Sequence, residues 1–544
     1  MSSVRPITLL DTHEVTNQPP PFENQNLFAG DRALQDAVRH AGGGHHAAFL
    51  HRLGERAGSA EVIGWGAEAN RQPPRLETHD RYGRRIDEVY FHPAYHQLLR
   101  LGLENGFAAI PFDGTPAGEV AHAAILYLTG QADSGTTCPM TMTAAAIPAL
   151  RADPAIAAFW EPRILARRYD PVCRPAAEKA GVTIGMAMTE KQGGSDVRSN
   201  SSRAEPAVDG WFRLTGHKWF CSAPMSDAFL TLAYAKDGLG CFLLPRWLPD
   251  GTRNAGFRLV RLKDKLGDRS NASAEVEYHG ALAQPLGESG RGIATILAMV
   301  QHTRFDCVLG SAQQMRSALV EALWLTSHRS AFQKRLIDQP AMAALLADLA
   351  IESEAATALG FRLAQALDRS EPLARLLTPL AKYWVCKRAP AMIYEAMECL
   401  GGNGYVETGA MARHFRQSPL NAIWEGSGNV IALDLQRALG QTRAGGGEAV
   451  EALRIFLENQ RGRHRSYDQW LATLDFAPAA EDKARLQTER LALAAQAAVL
   501  LAWENPLADA FCALRLQPRG ASFGAFAAAI DPAPILARAM PRQD

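Results

Sequence analysis

The chain has 544 residues, 47% of them apolar, and its 57 Lys and Arg equal its 57 Asp and Glu. That length is too great for one core, so two to four domains are expected, and the balanced charge argues neither for nor against an anionic partner. No run reaches the roughly 18 uncharged apolar residues that would span a membrane, and no signal peptide is read, so a cytoplasmic protein is expected. The eight cysteines, at 138, 173, 221, 241, 307, 386, 399 and 512, stand singly. Without a Cys-x-x-Cys pair they suggest neither zinc nor a redox dithiol, and no metal site is expected.

Residues 1–40 open polar and Pro-rich, with Pro19 to Pro21 extended, and read as a disordered tail. From 31 to 180 the chain reads mostly helical. Ala- and Leu-rich stretches lie at 120–130 and 154–167, with a break at Asp133-Ser134-Gly135-Thr136-Thr137-Cys138-Pro139. Between 181 and 284 short β-type runs appear at 211–215, 229–235, 240–244, 257–262 and 274–278, punctuated by Asp-Gly turns. In the last run Ala274, Val276 and Tyr278 fall on one side and Glu275, Glu277 and His279 on the other. An antiparallel barrel or sandwich is expected.

Helix returns from about 290 onward. Ile293, Ile296, Leu297 and Val300 recur at helical spacing, and longer stretches follow at 345–367 and 373–400, favouring a bundle. Gly445-Gly446-Gly447 reads as a linker before a last Ala- and Leu-rich helical segment. The expected fold is α+β and multidomain. It comprises an N-terminal arm and α-helical domain (1–180), a β domain (181–284), a helical bundle domain (285–440) and an extra C-terminal helical domain (441–544).

The chemistry gathers on Ile423-Trp424-Glu425-Gly426-Ser427-Gly428-Asn429. A carboxylate lies between an aromatic wall and glycines that let backbone approach a ligand. Apolar surroundings can raise such a carboxyl toward neutrality, which suits a general base. Far upstream runs Met186-Ala187-Met188-Thr189-Glu190-Lys191-Gln192-Gly193-Gly194-Ser195-Asp196, followed by Gly216-His217-Lys218-Trp219-Phe220-Cys221-Ser222. Small residues and hydroxyls there expose backbone N–H groups that can bind a ring or a pyrophosphate. On pattern alone a Gly-rich turn between domains is the plainer reading.

In order and spacing these stretches, with Leu400-Gly401-Gly402-Asn403-Gly404-Tyr405, resemble the acyl-CoA dehydrogenase family over residues 180–440. Arg261-Leu262-Lys263-Asp264-Lys265-Leu266-Gly267 and Arg269-Ser270-Asn271-Ala272-Ser273, with Lys191-Gln192-Gly193-Gly194, resemble the family's alkylation-response branch. The resemblance implies FAD as cofactor and a homotetramer, with residues 1–40 as an arm on a neighbouring subunit.

It places Met186, Met188, Thr189, Gly194 and Ser195 against the flavin and Trp219, Phe220, Cys221 and Ser222 behind the ring. Relatives usually carry Thr where Cys221 stands, so Ser222 is expected to take over a hydrogen bond. Arg329 and Phe332 match an Arg-x-x-Phe whose arginine meets the pyrophosphate across a subunit boundary, where a bidentate cation suits phosphate. Gln339, Gly401 and Gly402 match positions near the same cofactor. Trp424, Gly426, Ser427 and Asn429 frame it beside Glu425.

By resemblance Glu425 is the base that removes the α-proton of a short or branched acyl-CoA, in a reaction expected to be weak. Thr303 and Arg304 match the substrate side. Thr303 stands where some relatives carry an alternative base, so Glu425 has no rival. The same branch implies binding of double-stranded DNA through the C-terminal segment. That segment has as many acidic as basic residues, but Arg461, Arg463, Arg515 and Arg519 form local basic spots suited to sequence-independent phosphate contact. A catalytically silent flavoprotein that shields DNA is the alternative.

Overall fold

The computed structural model describes residues 6–441, 446–517, 523–525 and 530–542. It divides into two compact units, one formed by residues 1–64 and 307–544 and the other by residues 65–306. The division differs from the expected domain bounds, because the first 64 residues cluster with the C-terminal half.

In the unit of residues 65–306, strands β1 (Arg75–His79) and β2 (Arg85–Tyr90) form a hairpin within a stretch expected to be helical. Its turn is set by Asp80, which accepts from the Tyr82 and Arg84 amides. Four helices follow: Pro93–Glu104, Gly118–Thr129, Thr137–Leu150 and Pro154–Ile164. Asp153 starts the last by accepting from the Ala155 and Ile156 amides, with Pro154 at a position that needs no amide donor.

The sheet contains β3 (Ile184–Ala187), β4 (Arg203–Pro206), β5 (Phe212–Ser222), β6 (Ala228–Ala235), β7 (Gly238–Pro245), β8 (Phe257–Leu262) and β9 (Ser273–Leu286). Strands β6, β4, β5, β9 and β7 pair in that order and β7 pairs back with β6, which closes a barrel. The sheet is mixed rather than antiparallel, since β3 and β4 both run parallel to β6. Inside, Ala274, Val276 and Tyr278 pack with Phe229, Phe242 and Phe257, as the alternation of β9 requires.

Four strands thus fall on runs expected from the sequence, and β9 extends its run to fourteen residues. Helix Gly292–His328 opens with Ile296, Met299, Val300 and Thr303 buried, whereas Leu297 faces solvent. The buried stripe therefore begins three residues later than the expected one, sharing Ile296 and Val300 with it.

Buried in this unit, His122 has both ring nitrogens on acceptors: the Phe107 carbonyl at 2.7 Å and the Asp306 carboxylate at 2.8 Å. Thr141 donates to the other Asp306 oxygen at 2.5 Å. Two acceptors demand two N–H donors, so the ring is the imidazolium. Burial works against that charge, but Asp306, Glu119 and the Phe107 carbonyl outweigh it and raise the pKa to about 9. A raised folded-state value adds stability that is full below the unfolded value, near 6.5, and lost as pH rises through about 9. Thermal unfolding of this unit is expected to fall in midpoint between pH 6.5 and 9, and His122→Gln is expected to flatten that slope.

In the unit of residues 1–64 and 307–544, helices Pro340–Asp368, Ala374–Cys399 and Gly428–Leu439 pack together. The C-terminal helix Ala484–Ala502 packs on all three, and Pro532–Ala539 packs on Pro340–Asp368. Helices Ala484–Ala502 and Pro532–Ala539 are thus integral to this core. Residues 17–31 dock on their own chain rather than forming a free tail. Asn17 exchanges two hydrogen bonds with the Ser330 backbone, the Trp324 indole donates to the Pro20 carbonyl, and Arg316 pairs with Asp31. Among the described residues all eight cysteines are free, and no helix is long and apolar enough to cross a membrane.

Candidate active site

In the unit of residues 65–306, two motifs remote in sequence become neighbours. The Trp219 amide donates to the Thr189 carbonyl at 2.8 Å, and the Lys191 amide donates to a His217 ring nitrogen at 3.0 Å. Gly194 lies so close to Thr189 that a Cβ would stand 2.4 Å from its hydroxyl, so only glycine fits.

Glu190 pins the loop from below. Its carboxylate accepts from Lys218 at 2.8 Å, from the Ser201 amide and hydroxyl, and from the Ser202 amide. Burial opposes ionisation, yet Lys218 and the serine donors prevail and hold the carboxyl well below its usual range. Sequence reasoning assigned neither Glu190 nor Lys218 this part.

The register of β5 against β9 shifts between Lys218 and Cys221. This irregularity turns Lys218 and Cys221 inward and leaves Trp219 and Phe220, consecutive residues, both outside the core. Phe220 is 49% exposed, and Lys263 sits 3.1 Å from the centre of the Trp219 ring while pairing with Glu275. Cys221 corrects the expectation. Its thiol is fully buried among barrel residues and burial pushes it up to about 12, so only its backbone can reach a ligand. Ser222 remains at the margin, its hydroxyl 3.3 Å from that of Ser273.

Met186 is buried in β3, and Met188 and Ser195 are less covered. On the first turns of helix Gly292–His328, Thr303 is buried and donates to the Val300 carbonyl, while Arg304 is partly exposed.

In the unit of residues 1–64 and 307–544, the loop 423–427 precedes helix Gly428–Leu439, with Ser427 at its N-cap. Glu425 is half-buried, and its backbone sits at φ 57, followed by Gly426 at φ 106. The Trp424 indole donates to Asn421, whose amide donates to Ser311. Asn429 accepts from Arg485. Lys382, on helix Ala374–Cys399, donates to the carbonyls of Trp424 and Gly426 at 2.9 and 2.6 Å. Gly401 and Gly402 lie exposed at the end of that same helix.

Arg329 heads a small hairpin, Ser330–Ala331 with Lys334–Arg335. Its guanidinium donates to the Gln18 side chain, Gln339 donates to the Ala331 carbonyl, and Phe332 stands 95% exposed.

The three described arginines among those expected to contact DNA do not form one surface. Arg515 is buried in ion pairs with Asp348 at 2.5 Å and Glu352 at 2.9 Å, which removes it from any phosphate site. Its local sequence reads basic, but its partners lie more than 160 positions earlier. Arg461 is exposed and pairs with Glu458; Arg463 donates to the Leu501 carbonyl. Arg519 lies outside the described residues.

Comparison with known proteins identifies the lineage. Residues 17–171 match the model for the adaptive response protein AidB N-terminal domain. Residues 185–281 match the acyl-CoA dehydrogenase middle domain and residues 290–440 its C-terminal domain. The AidB protein of Escherichia coli is 45% identical over 94% of this chain and 95% of its own length. Acyl-CoA dehydrogenase family member 11 of Caenorhabditis elegans is 31% identical over 77% of this chain and 70% of its own. A crystal structure of Caenorhabditis elegans ACDH-11 in complex with C11-CoA superposes with a TM-score of 0.82 at 26% identity, covering 94% of this chain and 93% of that one.

The residues described above fit a flavin cofactor. In the unit of residues 65–306, Trp219 and Phe220 stand outside the barrel core, and a Cβ on Gly193 would meet nothing within 4 Å. The chain belongs to the acyl-CoA dehydrogenase family of FAD-dependent oxidoreductases, in its AidB branch.

Proposed function

We propose that the protein catalyses the α,β-dehydrogenation of an acyl-CoA thioester, with Glu425 as the base. The observation that carries this reading is the backbone of Glu425, a non-glycine residue held at φ 57 by a buried lysine on both flanking carbonyls. Such strained positions persist where the surroundings over-determine them, and they cluster at sites of function. The C11-CoA complex of ACDH-11 supports the substrate class.

Met186, Met188, Thr189, Gly194, Ser195, Trp219, Phe220 and Ser222 would hold the FAD ring, Trp424, Gly426, Ser427 and Asn429 would frame it beside Glu425, Phe332 and Gln339 would lie near it, and Arg329, Gly401 and Gly402 would reach it from a second subunit of a homotetramer. FAD supplies the acceptor for the hydride that leaves the β-carbon. The Glu425 carboxylate takes the α-proton, and the product is the 2-enoyl thioester. Lys382 draws the Trp424 carbonyl toward itself, and a trans peptide then directs the Glu425 N–H the opposite way. That amide is the backbone donor suited to polarise the thioester carbonyl. Arg304 serves the CoA side.

Incubating the FAD-loaded protein with acyl-CoAs of graded and branched chain and a dye acceptor tests this directly. A thioester lighter by two hydrogens is the expected product; recovery of every thioester unchanged would refute the reading.

Binding of double-stranded DNA, in the alkylation response that the AidB relationship suggests, rests on the two described cations that remain. Reversing Arg461 and Arg463 to Glu is expected to weaken retention on DNA at low salt and to flatten its salt dependence. Unchanged retention would discard it.

A further inference from the structure

We infer that Lys382 is the positioning residue of this site, setting the orientation of Glu425 without itself touching substrate. The inference rests on the reading of Glu425 as the base. Lys382 is 1% exposed. Burying an ammonium is costly unless its charge and donors are met. Here it donates to the Trp424 and Gly426 carbonyls, the acceptors immediately before and after Glu425. Its neighbours Leu380, Ala381 and Tyr383 are buried too, so the lysine enters an apolar layer for the sake of these two carbonyls.

The geometry requires this kind of restraint. Glu425 at φ 57 lies in the left-handed region, which an L-residue rarely occupies. Gly426, at φ 106, lets the chain turn sharply after it. A loop of this form relaxes unless both sides of the strained residue are tied. Asn421 ties the Trp424 ring and, through Ser311, the long helix behind it. Lys382 alone ties the carbonyls on both sides of Glu425 among the hydrogen bonds described above. With the backbone fixed, the carboxylate and the Glu425 amide are aimed together. A displacement of about 1 Å at such a group lowers a rate by about 100-fold.

The test uses the full-length, FAD-loaded protein with Lys382→Met and Lys382→Arg. Lys382→Met is expected to slow the limiting rate of flavin bleaching by an acyl-CoA by about 100-fold, while the half-saturating thioester concentration changes by less than about 3-fold. Lys382→Arg keeps a buried donor and is expected to recover most of the rate. Amide hydrogen exchange is expected to accelerate at residues 423–428 in Lys382→Met and to match wild type elsewhere. That exchange reports on the loop whether or not the protein is a dehydrogenase. Wild-type rate and wild-type exchange in Lys382→Met would overturn the inference. Global acceleration of exchange in both variants, with no rescue by Arg, would reduce Lys382 to a folding residue and overturn it equally. A wild-type protein that no thioester bleaches would instead remove the base assignment on which it stands.

Discussion

Glu425→Gln is expected to lower the rate of flavin reduction by acyl-CoA by about 100- to 10,000-fold, the usual share of a positioned base. The substitution is close to isosteric. Lys382 grips the main-chain carbonyls of Trp424 and Gly426, not the Glu425 side chain, so the loop is expected to keep its form. The amide cannot accept the α-proton. FAD content and thermal stability are therefore expected to match wild type while anaerobic stopped-flow absorbance shows no fast bleaching. Retained bleaching in the Gln variant would mean that another group takes the proton. Thr303 is a poor substitute, buried with its hydroxyl bonded to the Val300 carbonyl.

Arg515→Ala is expected to destabilise the unit of residues 1–64 and 307–544 by about 3 kcal/mol, the lower end for breaking a buried ion pair. Arg515 is 2% exposed and neutralises Asp348 and Glu352, on helix Pro340–Asp368. Removing it leaves two buried carboxylates. The loss stays near the lower end because Arg388 still pairs with Glu352 and the Gly524 amide still donates to Asp348. Urea denaturation followed by far-UV circular dichroism measures this. Replacing Arg515, Asp348 and Glu352 together with apolar residues of similar volume is expected to recover much of it, since the penalty lies in unpaired charge. A single variant as stable as wild type would show that the C-terminal helices are not anchored through this cluster. Arg538, which pairs with Glu354 and Asp36, is a second anchor of the same kind.

The strands were legible where turns and alternation were strong. Phe257–Leu262 coincides with its run, and the inward set of β9 is the alternating set read from sequence. Strands β3 and β4 were not legible because each has only four residues, and β3 pairs only with β6, more than 40 residues away. The burial of the Cys221 side chain was not legible because the register shift after Lys218 breaks the strand's alternation. Of the site, the motifs around Gly194, Trp219 and Glu425 were picked out by their order and spacing, which resemble the family; local composition alone favoured an ordinary Gly-rich turn. Lys382 and Asn421 were not picked out. A lysine in the run Leu380-Ala381-Lys382-Tyr383-Trp384 is odd enough to notice, but its partners become visible only when the chain folds back across more than 40 residues. Arg515 fails for the same reason in reverse: nearby basic residues suggested a surface, and distant acidic ones bury it.

The most direct measurement is an anaerobic titration of the FAD-loaded protein with acyl-CoA thioesters from short and branched chains through C11, following flavin absorbance. The account predicts loss of the yellow band with at least one thioester, at a rate set by chain length. No bleaching by any of them, with FAD at full occupancy, would contradict it and leave the fold serving another purpose.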